Sequence, residues 1–238
     1  IPVNELIDGS TCYFPTTITQ KALGHYDLYI LSNDSLQLDE FLRLCDWLVR
    51  HQDINGGWEM EKVMRLLGYS TRYSAMSQGE GISSLVRAWK HSKDNKYIIS
   101  AKRAYDLMIK PIELGGTAFY HENGVYLEEY PAKKKNTVLN GWIFALFGVY
   151  DLYLATNDQS VKEVFYKSFR TLKDNLHIFD AGFWSYYDDR KALASPFYHD
   201  LHISQLEALF LVTKDNVIRQ YIEKWNFYKK SILRRNYA

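Results

Sequence analysis

A chain of 238 residues, 47% hydrophobic and 24% charged, is long enough for one large domain, and no shift of composition marks a linker. Its net charge of +1 lacks the basic excess that nucleic-acid binding shows, and no apolar run approaches the roughly 20 residues needed to cross a bilayer. Aromatic content stands out instead: 19 Tyr, 12 Phe and 6 Trp make 16% of the chain, and such rings build both cores and clefts for polar ligands.

The first residue is Ile1, so the sequence is read as a fragment, a processed product or an ordered core, and the compartment is not legible from it. Cys12 and Cys45 lie too far apart for a CxxC pair, and whether they join in a disulfide stays open.

After a loop holding Gly9, Cys12 and Phe14-Pro15, apolar residues at helical spacing predict a helix over 16–31, stopped by Asn33-Asp34-Ser35. A second helix is expected over 38–50, ended by Asn55-Gly56-Gly57-Trp58. Ser70 to Ser74 offer a cap for the next helix, which carries Ala75, Met76, Gly79, Ile82, Leu85 and Trp89 and stops at Asp94-Asn95. Residues 96–109 read as a fourth helix with Pro111 beyond it. From Leu114 to Pro131 the pattern changes to a β-hairpin turning at Asn123-Gly124. Helical period returns over 137–154, then over 161–172, 198–212 and 216–233.

Gly-aromatic breaks recur at Gly9 to Phe14, Gly56 to Trp58, Gly115 to Tyr120 and Gly182 to Tyr187, at intervals of about 50 to 70 residues that suit a repeating helix-pair unit. The expected fold is all-α, an incomplete (α/α) toroid with short β-hairpins in the Gly-aromatic loops, formed as one domain over the whole chain. Loops emerging on one side would bring Trp58, Glu129, Tyr130, Tyr187 and Arg190 to one cleft. An open α-solenoid with a concave protein-binding face is the alternative.

The segment Tyr126-Leu127-Glu128-Glu129-Tyr130-Pro131 gathers carboxylates, phenols and a turn-setting proline, a poor core but a workable proton-transfer set if held in a cleft. Its plain alternative is an exposed acidic hairpin. Tyr186-Tyr187-Asp188-Asp189-Arg190, Tyr198-His199 and the lysine run 133–135 complete the chemical inventory. An arginine clamps a carboxylate in bidentate fashion, a carboxylate or tyrosinate takes a proton, and a phenol delivers one. Equally, Asp188-Asp189-Arg190 suits a turn with a local ion pair, and the lysines a solvated loop. His199 and His202 have the spacing of a ligand pair but no third ligand beside them, so backbone or sugar hydroxyls are the better partners and no metal is expected. No GxGxxG, P-loop or GxSxG motif occurs, so no cofactor is expected.

Seven motifs carry a resemblance. Ser74-Ala75-Met76-Ser77-Gln78-Gly79, 82–88, Glu128-Glu129-Tyr130-Pro131, Val138-Leu139-Asn140-Gly141, Gly148-Val149-Tyr150-Asp151-Leu152, Tyr187-Asp188-Asp189-Arg190 and Tyr198-His199-Asp200-Leu201-His202 onward to Leu206 follow in the order found in the C-terminal domain of D-glucuronyl C5-epimerases, the heparan sulfate and heparosan enzymes. The resemblance implies an incomplete α/α barrel and inversion at C5 of glucuronate within a polysaccharide. It implies Glu129, Tyr130, Tyr187, Arg190 and Tyr198 as the catalytic set, with Glu129 or Tyr198 as base, Tyr187 or Tyr130 as proton donor and Arg190 as carboxylate clamp. Trp58, Gln78, Glu128, Asn140, His199 and His202 are expected to contact substrate. Full-length animal members carry a further N-terminal β-rich region, to which the family's calcium site is assigned, and nothing in these residues corresponds to it. The expected partner is a uronic-acid-containing polysaccharide, and either the short form works alone or a homodimer or missing N-terminal domain completes the cleft. A uronan lyase or uronyl hydrolase, and a glycan-binding module without catalysis, are the competing functions.

Overall fold

The computed structural model describes residues 1–6, 8–60, 68–122, 124–132 and 134–236. Within them, four helix pairs succeed one another: α1 (Pro15–Ser32) with α2 (Ser35–His51), α3 (Ala75–Ser92) with α4 (Asn95–Ile109), α5 (Leu139–Thr156) with α6 (Gln159–Asn175), and α7 (Pro196–Thr213) with α8 (Asn216–Asn236). Two small antiparallel hairpins accompany them, β1 (Asn4–Glu5) with β2 (Thr11–Cys12), and β3 (Ala118–His121) with β4 (Gly124–Leu127). The first hairpin lies where the sequence suggested only a loop. The second matches the expected hairpin, although Asn123 of its turn lies outside the described residues.

The turns within the four pairs share one chemistry. Ser32, Ser92, Thr156 and Thr213 each donate a side-chain hydroxyl to the carbonyl four residues back, at 2.7–2.8 Å. The next residue, Asn33, Lys93, Asn157 or Lys214, takes a left-handed φ of 53–61°. Then Asp34, Asp94, Asp158 or Asp215 accepts from the backbone N–H two residues on, capping the second helix. This hydroxyl-x-Asp repeat is a second internal period, which the Gly-aromatic breaks had masked.

The odd-numbered helices form the inner layer. Thr16 meets Ser77 near the starts of α1 and α3 at 2.8 Å, and Arg87 meets Asp151 toward the ends of α3 and α5 at 2.6 Å, so neighbouring inner helices run parallel. A Cβ on Gly79 would stand 2.5 Å from the Ala145 Cα, and one on Gly148 2.5 Å from the Gly79 Cα. Only glycines allow α3 and α5 to approach this closely. Outer helices bury one stripe, as α6 does with Val161, Phe165, Phe169 and Leu172, each worth ~1.5–3 kcal/mol when fully buried. Inner helices pack in the order α1, α3, α5, α7, and α1 and α7 face each other across a cleft. The ring is an incomplete α/α toroid.

Ser74 stands at the N-cap of α3 but makes no side-chain cap bond. The Ala75 N–H goes instead to the Glu128 carbonyl at 3.0 Å, and the Leu139 N–H at the head of α5 goes to the Tyr187 carbonyl at 3.1 Å. Backbone from distant loops therefore satisfies both helix starts. Cys12 and Cys45 are unpaired, and no described helix is long and apolar enough to cross a membrane.

Candidate active site

Those two helix starts explain why the candidate residues converge. The chain leaving β4 is pinned at Glu128, whose N–H reaches the Thr117 carbonyl at 2.9 Å while its own carbonyl holds Ala75. Glu129 and Tyr130 follow immediately and are thereby placed over α3 and α5. Gly141, in the first turn of α5, makes room for the carboxylate, since a Cβ there would lie 2.3 Å from Glu129 Oε2. Tyr187 is fixed on the neighbouring loop by its carbonyl bond to Leu139 and by its N–H to Ala192 at 2.6 Å. Tyr198 comes from the first turn of α7, which Ser195 caps at 3.4 Å, and its ring meets Tyr187 edge-on at 4.7 Å.

The resulting cleft encloses about 620 Å³, and Glu80, Glu129, Tyr130, Asn140, Tyr187 and Tyr198 are among its walls. A smaller cavity of about 220 Å³ adjoins it, and Met60, Glu129 and Tyr130 line both. Glu129 is 7% exposed. Burial pushes its carboxyl up to about 7, against the pull of the Tyr130 hydroxyl. Its Oε2 and the Asn140 Oδ1 have no partner among the described residues, an arrangement that costs stability unless something else fills the bond. Burial and the nearby Glu129 charge drive the Tyr130 and Tyr187 phenols well above the usual tyrosine range. The cleft thus holds a carboxyl that ionises near neutrality beside phenols that keep their protons. Among the described residues, its walls carry no Lys, Arg or His.

Of the residues expected in the site, Glu129, Tyr130, Asn140, Tyr187 and Tyr198 come together on this cleft. The others do not. Trp58 is buried, its indole N–H bonded to the Leu48 carbonyl at 2.9 Å. Gln78 stitches Trp58, Gly56 and Ala104 together through backbone bonds, so both connect the core and neither lines the cleft. Glu128 points away and accepts from Thr137 at 2.6 Å, with burial raising it to about 7. His199 and His202 are both fully buried around Ser185. Trp184 stacks on His199 at 3.6 Å, and burial lowers His202 to about 3. They are a neutral packing pair, and among the described residues no cluster of three or more His, Cys, Asp or Glu is placed to hold a metal.

Arg190 is exposed on the turn three residues beyond Tyr187 and does not line the cleft. The local ion pair suggested for that turn is formed differently: Asp189 binds Lys135 at 2.7 Å, and Lys135 also sits 4.2 Å from the Tyr126 ring centroid. Lys133 lies outside the described residues. The residue that sequence reasoning overlooked is Glu80, 1% exposed in the middle of the cleft wall. Its signal was the one carboxylate of this helix, set between Gly79 and Gly81.

With this geometry in hand, comparison with known proteins is informative. A sequence profile described as D-glucuronyl C5-epimerase C-terminus matches residues 52–227. The chain belongs to that family. This C5-epimerase family chain is 32% identical over 212 residues to the D-glucuronyl C5-epimerase of Caenorhabditis elegans, a match covering 78% of the chain and 34% of the worm protein. It therefore spans about a third of the length of that relative. Among solved structures, cellobiose 2-epimerase from Bacillus thermoamylovorans B4167 superposes with a TM-score of 0.64 at 12% identity, over 90% of this chain and 60% of that one. The unsaturated glucuronyl hydrolase of Bacillus sp. GL1 gives 0.57 at 14% identity, over 89% and 60%. At such identities these likenesses speak for the toroidal fold alone.

Proposed function

We propose that this chain is the helical part of a polysaccharide uronate C5-epimerase, converting D-glucuronic acid to L-iduronic acid in a heparosan-like glycan. The observation that carries this reading is one cleft holding a carboxyl raised to about 7 beside the protonated phenols of Tyr130 and Tyr187. The C5 proton of a uronate is acidified by the adjacent carboxylate, and its removal places a second negative charge on that group. Glu129 serves as the base, taking the proton with its partnerless oxygen. Tyr187, braced by Tyr198, returns a proton from the opposite face, and Asn140 holds a sugar hydroxyl or the carboxylate. Phenol hydroxyls aimed at the developing charge stabilise it in a site with little water. Arg190 acts as the carboxylate clamp by swinging in from its turn once the glycan is bound.

The test is NMR of heparosan incubated with the chain in D2O. Loss of the C5 proton signal, appearance of iduronate and unchanged chain length are expected, and Glu129→Gln and Tyr187→Phe should each suppress the exchange. Wild-type exchange in both variants would remove these residues from the mechanism. Unsaturated chain ends, seen by ultraviolet absorbance, would instead assign a lyase, because β-elimination begins with the same proton abstraction.

A further inference from the structure

A second carboxyl group in the cleft has no role in the chemistry described so far. Glu80 projects from the second turn of α3, nearly sealed from solvent yet part of the cleft wall. Two residues of α1 hold it: Thr19 Oγ1 stands 2.9 Å from Oε2, and Gln20 Nε2 donates to Oε1 at 3.2 Å. Among the described residues no cation pairs with it. Among the described residues, the other titratable groups on the cleft walls are Glu129 and Tyr130, Tyr187 on its loop, Tyr198 of α7 and Asp27 farther along α1, none of them positive, and Arg72 of the adjoining cavity is paired with Glu59.

The hydrogen count around Thr19 is informative. Its hydroxyl lies 2.9 Å from both Glu80 Oε2 and the Thr16 carbonyl. One hydroxyl hydrogen serves one of these oxygens, and the carbonyl can only accept. When Thr19 donates to Thr16, its contact with Glu80 is satisfied by a proton on the Glu80 carboxyl, which then donates to Thr19. A neutral Glu80 fits every bond around it. An ionised one would accept from Thr19 and Gln20 but, among the described residues, would have no cation beside it in a buried site that also holds Glu129, and such pairs share their charge.

We propose that Glu80 is a positioning residue for proton transfer at Glu129: it stays a neutral carboxylic acid while Glu129 is ionised, so the cleft carries one buried negative charge when a uronate binds. This rests on the epimerase reading above. Burial raises Glu80 to about 8, against the pull of the Thr19 and Gln20 hydrogen bonds and with a smaller push from the Glu129 charge; burial also raises Glu129, to about 7. Glu80 is the more deeply buried of the two, 1% against 7% exposed, so Glu129 ionises first and its charge holds the proton on Glu80. Above that range a second charge appears, and the cleft repels the substrate carboxylate.

Two measurements test this. The wild-type rate of C5 exchange should rise with pH through about 7 and fall about ten-fold per unit above about pH 8. Glu80→Gln should keep the rising limb and lose the falling one, staying within about two-fold up to about pH 9.5. A merely structural Glu80 would leave the falling limb in place, and its persistence in Glu80→Gln overturns the proposal. Independently of turnover, carbon-13 NMR of glutamate carboxyls should show Glu80 neutral at neutral pH and titrating at lower pH in Glu129→Gln. A Glu80 carboxyl already ionised at about pH 6 in the wild type overturns it as well. If wild-type chain gives no C5 exchange, the functional reading fails, and the carboxyl titration still decides the Glu80–Glu129 coupling.

Discussion

Replacing Gly141 with alanine would test whether the placement of Glu129 limits the reaction. The added Cβ would stand 2.3 Å from Glu129 Oε2, 2.8 Å from its Cβ and 2.9 Å from its Cδ, whereas ordinary contact begins at 3.4 Å. The carboxylate must therefore retreat by about 1 Å, and a misplacement of that size at a reacting group costs about 100-fold in rate. Stability should change much less, because overpacking costs ~1–3 kcal/mol while alanine in place of glycine within a helix returns ~1 kcal/mol. The assay is deuterium incorporation at C5 of heparosan, followed beside a thermal melt. An exchange rate within two- to three-fold of wild type in a folded Gly141→Ala variant would refute the argument, because Glu129 would then have been displaced without consequence. A melt lowered by more than about 10 °C would show the strain relieved through the helix instead of the carboxylate.

Other outcomes follow from the same contacts. Gly79→Ala should lower Tm by about 4 °C or more, since its Cβ meets the Ala145 backbone at 2.5 Å and backbone yields less easily than a side chain; an unchanged melt would mean α3 and α5 slide apart freely. Glu128 has a folded-state value of about 7 against an ordinary 4.5, so the folded chain binds the extra proton between those values and the stability it contributes declines as pH rises through that window. Glu128→Gln should therefore raise Tm more at about pH 8 than at about pH 5, and equal gains at both would contradict a buried, raised carboxyl. Arg190→Ala should leave Tm within about 1–2 °C, as an exposed substitution does, while exchange falls about 10-fold or more if the guanidinium clamps the substrate carboxylate. Unchanged kinetics would remove the clamp from the mechanism.

How much of this was legible beforehand follows from the range of the forces involved. The expected helices lie within three residues of those observed, because apolar periodicity and Asn/Asp stops are local signals that read out at fixed offsets. Glu129, Tyr130, Asn140, Tyr187 and Tyr198, singled out by ordered motifs, line one cleft, but motifs do not reveal a site's shape. Trp58, Gln78, His199 and His202, singled out the same way, lie buried off the cleft, since a motif does not distinguish a residue that lines a cleft from one that ties the core together. Gln78 makes its three bonds to residues 20 to 26 positions away, and no window of sequence shows that they are satisfied.

The sequence alone therefore determined the four helix pairs, their order, and the loops that carry the acid-base groups, all consequences of spacing along the chain. Only the tertiary structure decided which carboxylates are buried, that Gly141 opens a place for Glu129, that Arg190 stands outside the cleft and that Glu80 stands inside it. Burial and the ionisation it controls depend on dehydration by side chains distant in sequence. Thr19 and Glu80, 61 residues apart and in hydrogen-bond contact, become neighbours only when the ring of inner helices brings α1 against α3.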